Sequence, residues 1–166
     1  MLNTAIQLPA GLSMRPARPS DQAFIESLFN STRDDLRLID AETDFIETLI
    51  DMQHHAQTVG YAEMYPNAMY FIVEMHQERV GRVVVDFGMD YVDIVDICII
   101  RPARGKGYIT GVIQSLQMAA VKVGAPLYST LSLTHQDLRK AYISLGFTTE
   151  SVAGMVERLV WVPGLA

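Results

Sequence analysis

The feature that most constrains this chain is the stretch from Tyr91 to Val123, where an apolar run is followed by a basic segment and then by a helical pattern. The run Ile97-Cys98-Ile99-Ile100 has the composition of a buried strand, and Pro102 ends it. After Tyr108 the apolar residues recur at helical spacing and form one face, made of Ile109, Val112, Ile113, Leu116, Ala120 and Val123. The polar residues Gln114, Gln117 and Lys122 fall outside that face. The stretch therefore predicts a strand, a tight basic loop and a helix.

The loop of this unit, Arg104-Gly105-Lys106-Gly107, has the chemistry of a phosphate cradle. The first turn of a helix has unpaired N–H groups at its positive end, and glycines allow a phosphate to approach the backbone. Two common phosphate motifs are excluded. The P-loop needs Gly where Ile100 stands and Ser or Thr where Gly107 stands, and the dinucleotide fingerprint needs Gly at Thr110.

What remains, Arg104 to Tyr108, resembles the acetyl-CoA loop of the GNAT superfamily of N-acetyltransferases. The central motif of that family is Gln/Arg-x-x-Gly-x-Gly/Ala. Ile109 departs from it, because it stands where the family has Gly or Ala, although its backbone N–H is retained.

A second patch, residues 135–147, resembles the family's Asn-x-x-Ala-x-x-x-Tyr-x-x-x-Gly-Phe. Tyr142, Gly146 and Phe147 match it, whereas His135 stands at the usual Asn and Leu138 at the usual Ala. The order of the predicted elements, β-α-α-β-β-β-α-β-α-β-β, also agrees with the family. The resemblance covers roughly residues 12–162.

The resemblance implies an α/β (α+β) GNAT fold. Its mixed, mostly antiparallel sheet has six to seven strands and about four flanking helices, and two splayed parallel strands form the acetyl-CoA groove. We expect a loose arm over residues 1–11 and a single N-acetyltransferase domain over residues 12–166, a length that suits one domain with a real core.

Composition limits the partners and the compartment. The net charge of −6 argues against broad nucleic-acid binding, and one cysteine excludes an internal disulfide. No stretch approaches the ~18 apolar residues of a membrane span, and the N-terminus has no basic, apolar leader pattern. We expect a cytoplasmic, bacterial-type enzyme that has neither a nucleic-acid nor a membrane partner; a homodimer is left open.

By resemblance, the cofactor is acetyl-CoA. Its pantetheine arm is expected to take backbone hydrogen bonds from Cys98, Ile99 and Ile100. The pyrophosphate is expected on the loop and the helix start, which comprise Arg104, Gly105, Lys106, Gly107, Tyr108 and Ile109. His135, at the position of the family's Asn, completes the predicted cofactor site.

Two catalytic residues are predicted. Tyr142 occupies the position of the family's general acid, and a phenol with a pKa of ~10 would be protonated at neutral pH. Asp96 is the candidate base, because it lies two residues from Cys98 in an apolar strand and so on the same face. Asp93 is the alternative, with opposite parity unless a bulge intervenes.

Two other chemistries are weighed and disfavoured. An acetyl-cysteine on Cys98 is chemically conceivable, but a lone cysteine in a buried apolar strand is more often inert packing. His54 and His55 are adjacent, point to different faces of a helix and have no suitably spaced third ligand, so we expect no metal site.

The sequence thus favours an acetyl-CoA-dependent N-acetyltransferase that acts by direct transfer to a primary amine on a small molecule or a peptide. A catalytically weak acyl-CoA-binding module or sensor, and an interaction protein with a filled groove, remain as alternatives. The segment 33–51 carries seven carboxylates against Arg33 and Arg37, and this excess predicts a cationic acceptor unless these acids merely cover an outer helix face.

Overall fold

The computed structural model describes residues 8–164, which form one sheet flanked by helices. The strands are β1 (Leu12–Pro16), β2 (Ala68–Met75), β3 (Glu78–Phe87), β4 (Val92–Ile99), β5 (Leu127–Ser132), β6 (Thr148–Ala153) and β7 (Val156–Trp161). The helices are α1 (Gln22–Ser31), α2 (Thr43–Met64), α3 (Tyr108–Val123) and α4 (Gln136–Ser144). Short 3₁₀ turns lie at Pro19–Asp21, Asp34–Leu38 and Arg101–Ala103.

The sheet has the strand order β1-β2-β3-β4-β5-β7-β6. Every pairing is antiparallel except the parallel pair β4–β5. The expectation of a mostly antiparallel sheet of six to seven strands with about four helices is confirmed: within residues 8–164 the sheet has seven strands and there are four α-helices.

The two faces of the sheet are covered by different helices. The larger core lies on the face of α3 and α4, where Ile113, Leu116 and Phe147 pack against buried strand residues such as Ile94 and Ile97. On the other face α1 and α2 form a smaller core, made of Phe29, Ile46 and Ile50. The two helical layers therefore leave β4 and β5 sandwiched at the centre.

Strand β4 contains a bulge at Val95. Its neighbour β3 pairs Val84 with Asp96 but pairs Val85 with Ile94, so Val95 is the extra residue. One extra residue reverses the alternation of side chains. Asp93, Asp96 and Arg82 therefore share the face covered by α2, and the condition set for Asp93 by its sequence parity is met.

The parallel strands β4 and β5 pair only at their beginnings. Val92 to Ile94 face Leu127 to Ser129, and beyond that point no pairing continues. Since β4 runs on to Ile99 and β5 to Ser132, their remaining halves diverge. We call the point where β4 and β5 separate, after the pair Ile94 and Ser129, the fork. It confirms the predicted splay of the two parallel strands.

Helix α3 follows the predicted span but not the whole predicted face. Val123 is 63% exposed at the last turn, whereas Gln117 is only 6% exposed. The Gln117 side chain is tolerated inside because its Nε2 donates to the Leu145 carbonyl oxygen at 2.9 Å. A polar residue can therefore lie on the buried face of α3, because its side chain has a hydrogen-bond acceptor there.

Helix α2 starts at Thr43, directly after Glu42, and passes Gly60 to end at Met64. Of the predicted arm 1–11, residues 1–7 lie outside the described part. Residues 8–11 are tied to the sheet by the His76 N–H, which donates to the Gly11 carbonyl oxygen at 3.0 Å. Within residues 8–164, no helix combines the length and apolarity needed to cross a membrane.

Candidate active site

The basic loop adopts a conformation that only glycine adopts easily. Gly105 and Gly107 have φ angles of 74° and 82°, in the left-handed region. A Cβ at either position would meet nothing within 4 Å, so the space in front of the loop is open. Gly107 precedes α3, and its carbonyl oxygen accepts the Gly111 N–H at 3.0 Å. The N–H groups of residues 108–110 consequently have no acceptor inside the helix and form a ready anion site.

The free edge of β4 runs from the fork to this loop. The Ile100 N–H donates to the Val80 carbonyl oxygen at 2.8 Å, so Ile100 directs its amide towards β3. Alternation along the strand then directs the backbone groups of Ile97 and Ile99 to the open edge and those of Cys98 to β3. Of the three residues predicted to bind pantetheine, Ile99 is the one whose backbone is best placed. Its carbonyl oxygen accepts Arg104 Nε at 3.0 Å.

A cavity of about 500 Å³ opens along this edge. Its walls come from α1, α2, β3, β4, the basic loop, the start of α3 and the β5–α4 connection. Five of the predicted site residues line it, namely Asp96, Cys98, Arg104, Ile109 and His135. The other predicted site residues lie outside the lining, namely Gly105, Lys106 and Gly107 on the loop, Tyr108 at the start of α3, and Ile99, Ile100 and Tyr142. The predicted cofactor residues are thus grouped along one continuous path, and their individual roles stay predictions.

Tyr142 is fully buried, and its hydroxyl lies at the fork. Ser129, the last β5 residue paired with β4, donates its Oγ–H to Tyr142 Oη at 2.8 Å. The Tyr142 ring packs edge-on against Phe147, with centroids 4.9 Å apart. Burial raises the pKa of Tyr142 above its usual value, against the lowering effect of the Ser129 hydrogen bond. The phenol therefore keeps its proton throughout the neutral range, as the predicted general acid requires.

Asp96 is one of two carboxylates in the cavity lining; the other is Asp137. Its Oδ2 accepts Arg82 Nη2 at 3.1 Å, and the same Nη2 donates to Gln57 Oε1 at 3.3 Å. Residues from β3, β4 and α2 thereby hold one another in place. Asp96 remains the predicted base.

Asp93 is a different kind of carboxylate. It is 5% exposed, its Oδ1 has no hydrogen-bond partner among residues 8–164, and its Oδ2 lies 3.8 Å from Arg158 Nη1. Burial raises the pKa of Asp93, and the cross-strand neighbour Asp86 raises it further, while Arg158 opposes them. The fold thus retains a poorly partnered buried acid one pair away from the fork.

Cys98 is not set up as a nucleophile. Burial raises the pKa of its thiol to about 11, and Asp96 adds to that effect. A thiol with such a pKa holds little thiolate at neutral pH, and thiolate is the reactive form. This favours direct transfer over an acetyl-cysteine.

The acidic segment 33–51 does not line the cavity with carboxylates. Asp34 pairs with Arg37 at 2.7 Å and with Arg101 at 2.9 Å, and Glu47 pairs with Arg37 at 2.9 Å. The segment instead contributes Arg33 to the cavity wall. The expected concentration of negative charge at the acceptor side is therefore absent from the cavity lining.

Sequence reasoning missed Arg33, Arg82, Gln57 and Ser129. Arg82 carries a signal that could have found it, since a charged residue inside the apolar run Val80–Val85 is as unusual as Asp96 in its own strand. Ser129 and Gln57 have no such signal, because their roles depend on which strand and helix meet.

The chain is similar in structure to several solved acetyltransferases. The chain resembles PaiA N-acetyltransferase from Thermoplasma acidophilum in complex with coenzyme A, with a TM-score of 0.68 and 9% identity over 91% of this chain and 98% of that one. It also resembles an acetyltransferase from Thermus thermophilus, with a TM-score of 0.65 and 20% identity over 94% and 99%. A third is spermidine N-acetyltransferase from Vibrio cholerae in complex with CoA and spermine, with a TM-score of 0.63 and 19% identity over 93% and 96%.

At these identities the likeness establishes the fold, and the chain has the GNAT fold expected from its sequence motifs. The sequence matches no protein-family model and no curated protein.

Proposed function

We propose that this chain is an acetyl-CoA-dependent N-acetyltransferase that transfers an acetyl group to a primary amine by direct attack in a ternary complex. The observation that carries the proposal is the fork between β4 and β5, whose free edge leads along one cavity to a glycine loop at a helix N-terminus. The structural neighbours include proteins bound to coenzyme A and to spermine, which supports the same cofactor and an amine acceptor here.

The residues present fit this cofactor. The backbone N–H of Ile99 faces the open edge of β4 and suits an extended arm that adds to that edge, as a strand would. The N–H groups of residues 108–110, together with Arg104 and Lys106, suit a pyrophosphate. Acetyl-CoA, when bound, supplies an acetyl group activated as a thioester.

Two side chains near the fork carry out the two proton transfers of the reaction, one as the base and the other as the acid. Asp96 lies in the cavity wall on the α2 face and accepts the proton that an ammonium must lose before it attacks. Tyr142 Oη holds a proton at the fork and donates it to the departing thiolate. The location is taken as cytoplasmic, in keeping with the sequence expectation.

The glycine loop provides the sharpest test. Gly107→Asp and Gly107→Asn place nearly isosteric side chains in the same left-handed conformation, which both tolerate. Only aspartate adds a negative charge beside the phosphate site. We expect the affinity for CoA, measured by calorimetry, to be at least ~10-fold weaker in Gly107→Asp than in Gly107→Asn, a difference of about 1.4 kcal/mol. Equal affinities in the two variants would remove the loop from the cofactor site.

Turnover is measured separately, as the release of free CoA thiol with a panel of amines. CoA binding without transfer to any amine would favour the acyl-CoA-binding module over the enzyme.

A further inference from the structure

Two arginines line the cavity away from the phosphate loop. Arg33 follows α1 at the start of the connector, and its guanidinium carbon lies 4.8 Å from the centre of the Phe29 ring. Arg82 belongs to β3, is 8% exposed and lies below α2, where Gln57 accepts one of its hydrogen bonds. Arg104, in contrast, begins the basic loop and suits the anionic cofactor, and Arg101 lies in the 3₁₀ turn before the loop, paired with Asp34 at 2.9 Å.

The guanidinium groups of Arg33 and Arg82 retain unused hydrogen-bonding capacity. The Nε of each is buried and has no acceptor among residues 8–164. A buried donor without an acceptor typically costs ~1–3 kcal/mol. An acceptor oxygen that reaches these nitrogens after a shift of the arginine side chains would remove this cost.

The charges of this wall are also unbalanced. Arg82 has Asp96 as its partner at 3.1 Å, but within residues 8–164 Arg33 forms no ion pair with a carboxylate. The cavity lining as a whole contains four arginines, Arg33, Arg82, Arg101 and Arg104, against two carboxylates, Asp96 and Asp137. Arg101 is paired with Asp34 and Arg82 with Asp96, so among residues 8–164 Arg33 is the lining arginine outside the basic loop that has no carboxylate partner.

We propose that Arg33 and Arg82 bind a carboxylate of the acceptor, so that the acceptor is a small α-amino acid whose amine faces Asp96. This inference rests on the proposed acetyltransferase function and narrows its acceptor class. The Arg82–Asp96 pair offers one positive and one negative group at hydrogen-bond distance from each other, which matches the paired charges of a zwitterion. Arg33 supplies the extra positive charge that draws the carboxylate to the outer wall.

The proposed preference for a carboxylate rests on the planar geometry of the arginine guanidinium group. A guanidinium binds a carboxylate through parallel charge-assisted hydrogen bonds, which are stronger than neutral ones. A carboxamide of the same shape keeps the amine but loses the charge. The acid and its amide therefore form a matched pair of ligands that differ mainly in the group assigned to the two arginines.

The experiment compares the twenty protein α-amino acids with their amides on the CoA-loaded protein. Binding is measured by calorimetry, and acetyl transfer is measured with acetyl-CoA. We expect at least one acid to bind at least ~10-fold more tightly than its amide, the effect of about 1.4 kcal/mol. Arg33→Gln should remove this preference for the acid. Arg33→Lys keeps the positive charge but loses the planar guanidinium, so it should retain part of the preference.

A matched control is Arg37→Gln, four residues further along the same connector. Arg37 is exposed and does not line the cavity, so the preference should persist in this variant. CoA affinity and melting temperature are measured for every variant, and the acid–amide comparison on the unaltered protein stands even if Arg33→Gln does not fold.

Several outcomes would overturn the inference. They are acids and amides bound equally, no acid bound at all, and Arg33→Gln weakening acids and amides alike. If polyamines or amides are acetylated while acids are not, the acceptor class is wrong but the acetyltransferase function stands. If acids bind selectively but no amine is acetylated, the anion subsite stands and the proposed reaction fails.

Discussion

Two buried carboxylates, Asp21 and Asp93, have opposite surroundings. Asp21 lies at the junction of β1 and α1 and accepts two hydrogen bonds from Arg15, both at 2.8 Å, and one from the Arg18 N–H at 2.7 Å. Arg79 Nε lies 3.0 Å from its Oδ1. Asp93, near the fork, has only the distant Arg158.

This difference distinguishes a buried carboxylate that stabilises the fold from a buried carboxylate that lies close to the candidate site. Hydrogen bonds from Arg15 hold the pKa of Asp21 far below its usual range, whereas burial raises the pKa of Asp93. Every oxygen of Asp21 has a donor, so this region is complete as it stands. Buried polar atoms without a hydrogen-bond partner among residues 8–164 occur instead at Arg33, Gln53, Arg82 and Asp93, and Arg33 and Arg82 line the cavity. We therefore expect changes near Asp21 to affect stability and changes around the fork to affect activity.

The largest effect is expected at the fork, from Tyr142→Phe. If the phenol protonates the leaving thiolate, turnover should fall by ~10²–10⁴-fold while CoA binding stays near that of the unaltered protein. Because burial raises the pKa of Tyr142, turnover of the unaltered enzyme should not decline through loss of this proton below pH ~10. Steady-state kinetics over a range from about pH 6 to about pH 10 measure both effects.

Ser129→Ala is the control for Tyr142→Phe. It removes the hydrogen bond to Tyr142 Oη but leaves the phenol and its proton in place. If both variants lose the same small amount of stability and neither loses turnover, Tyr142 contributes packing alone, and the fork resembles the Asp21 region after all.

The second largest effect is expected from Asp21→Asn, in the region where every carboxylate oxygen has a hydrogen-bond donor. Loss of this charge leaves Arg15 and Arg79 without their shared partner, and breaking a buried ion pair typically costs about 3–5 kcal/mol. Denaturant unfolding should show this loss, with CoA affinity of the folded protein unchanged.

The pH dependence of Asp21→Asn follows from the lowered pKa of Asp21. Its stabilisation is present above the ordinary aspartate pKa of ~3.9 and is lost as the pH falls through the lowered folded value. The variant should therefore lose less stability on acidification than the unaltered protein. An unchanged acid transition would show that the network does not stabilise the ionised form.

The smallest effect, and one of opposite sign, is expected from Asp93→Asn. The raised pKa means that the stability linked to Asp93 is present below the ordinary pKa of ~3.9 and is lost as the pH rises through the higher folded value. At neutral pH the variant should melt about 2–4 °C higher, the change that ~1 kcal/mol produces in a domain of this size. The gain should disappear towards a pH of about 4, as measured by calorimetric scans. A lower melting temperature at neutral pH would mean that Arg158 stabilises the ionised acid.

The sequence predicted what depends on neighbouring residues. The loop with Gly105 and Gly107, the helix that follows it and the strand that precedes it are local features, and each is found where expected. The fold class followed from the loop motif together with the order of the elements. Tyr142 was singled out by resemblance, and its hydroxyl lies at the fork.

What escaped prediction depends on contacts between distant segments. The seven carboxylates of segment 33–51 suggested a negatively charged acceptor side, but folding pairs Asp34 and Glu47 with Arg37 and turns Arg33 towards the cavity. Likewise, the helical pattern predicted Gln117 off the apolar face, but the structure buries it, and the acceptor of its side chain, the Leu145 carbonyl oxygen, is 28 positions away along the chain. Composition does not reveal such partners.

The bulge at Val95 also has an evolutionary consequence. Insertions and deletions are usually tolerated in surface loops, but a bulge accommodates one extra residue inside a central strand, because β3 pairs Val84 with Asp96 and Val85 with Ile94 on either side of Val95. Deleting Val95 would leave a regular strand in which Asp93 and Ile94 keep their present faces. Keeping Val95 in a regular strand without the bulge would instead turn Asp93 into the apolar layer beneath α3. We therefore expect descendants of this chain to retain the pairing of Asp93 with Asp86 more strictly than the number of residues between Asp93 and Asp96.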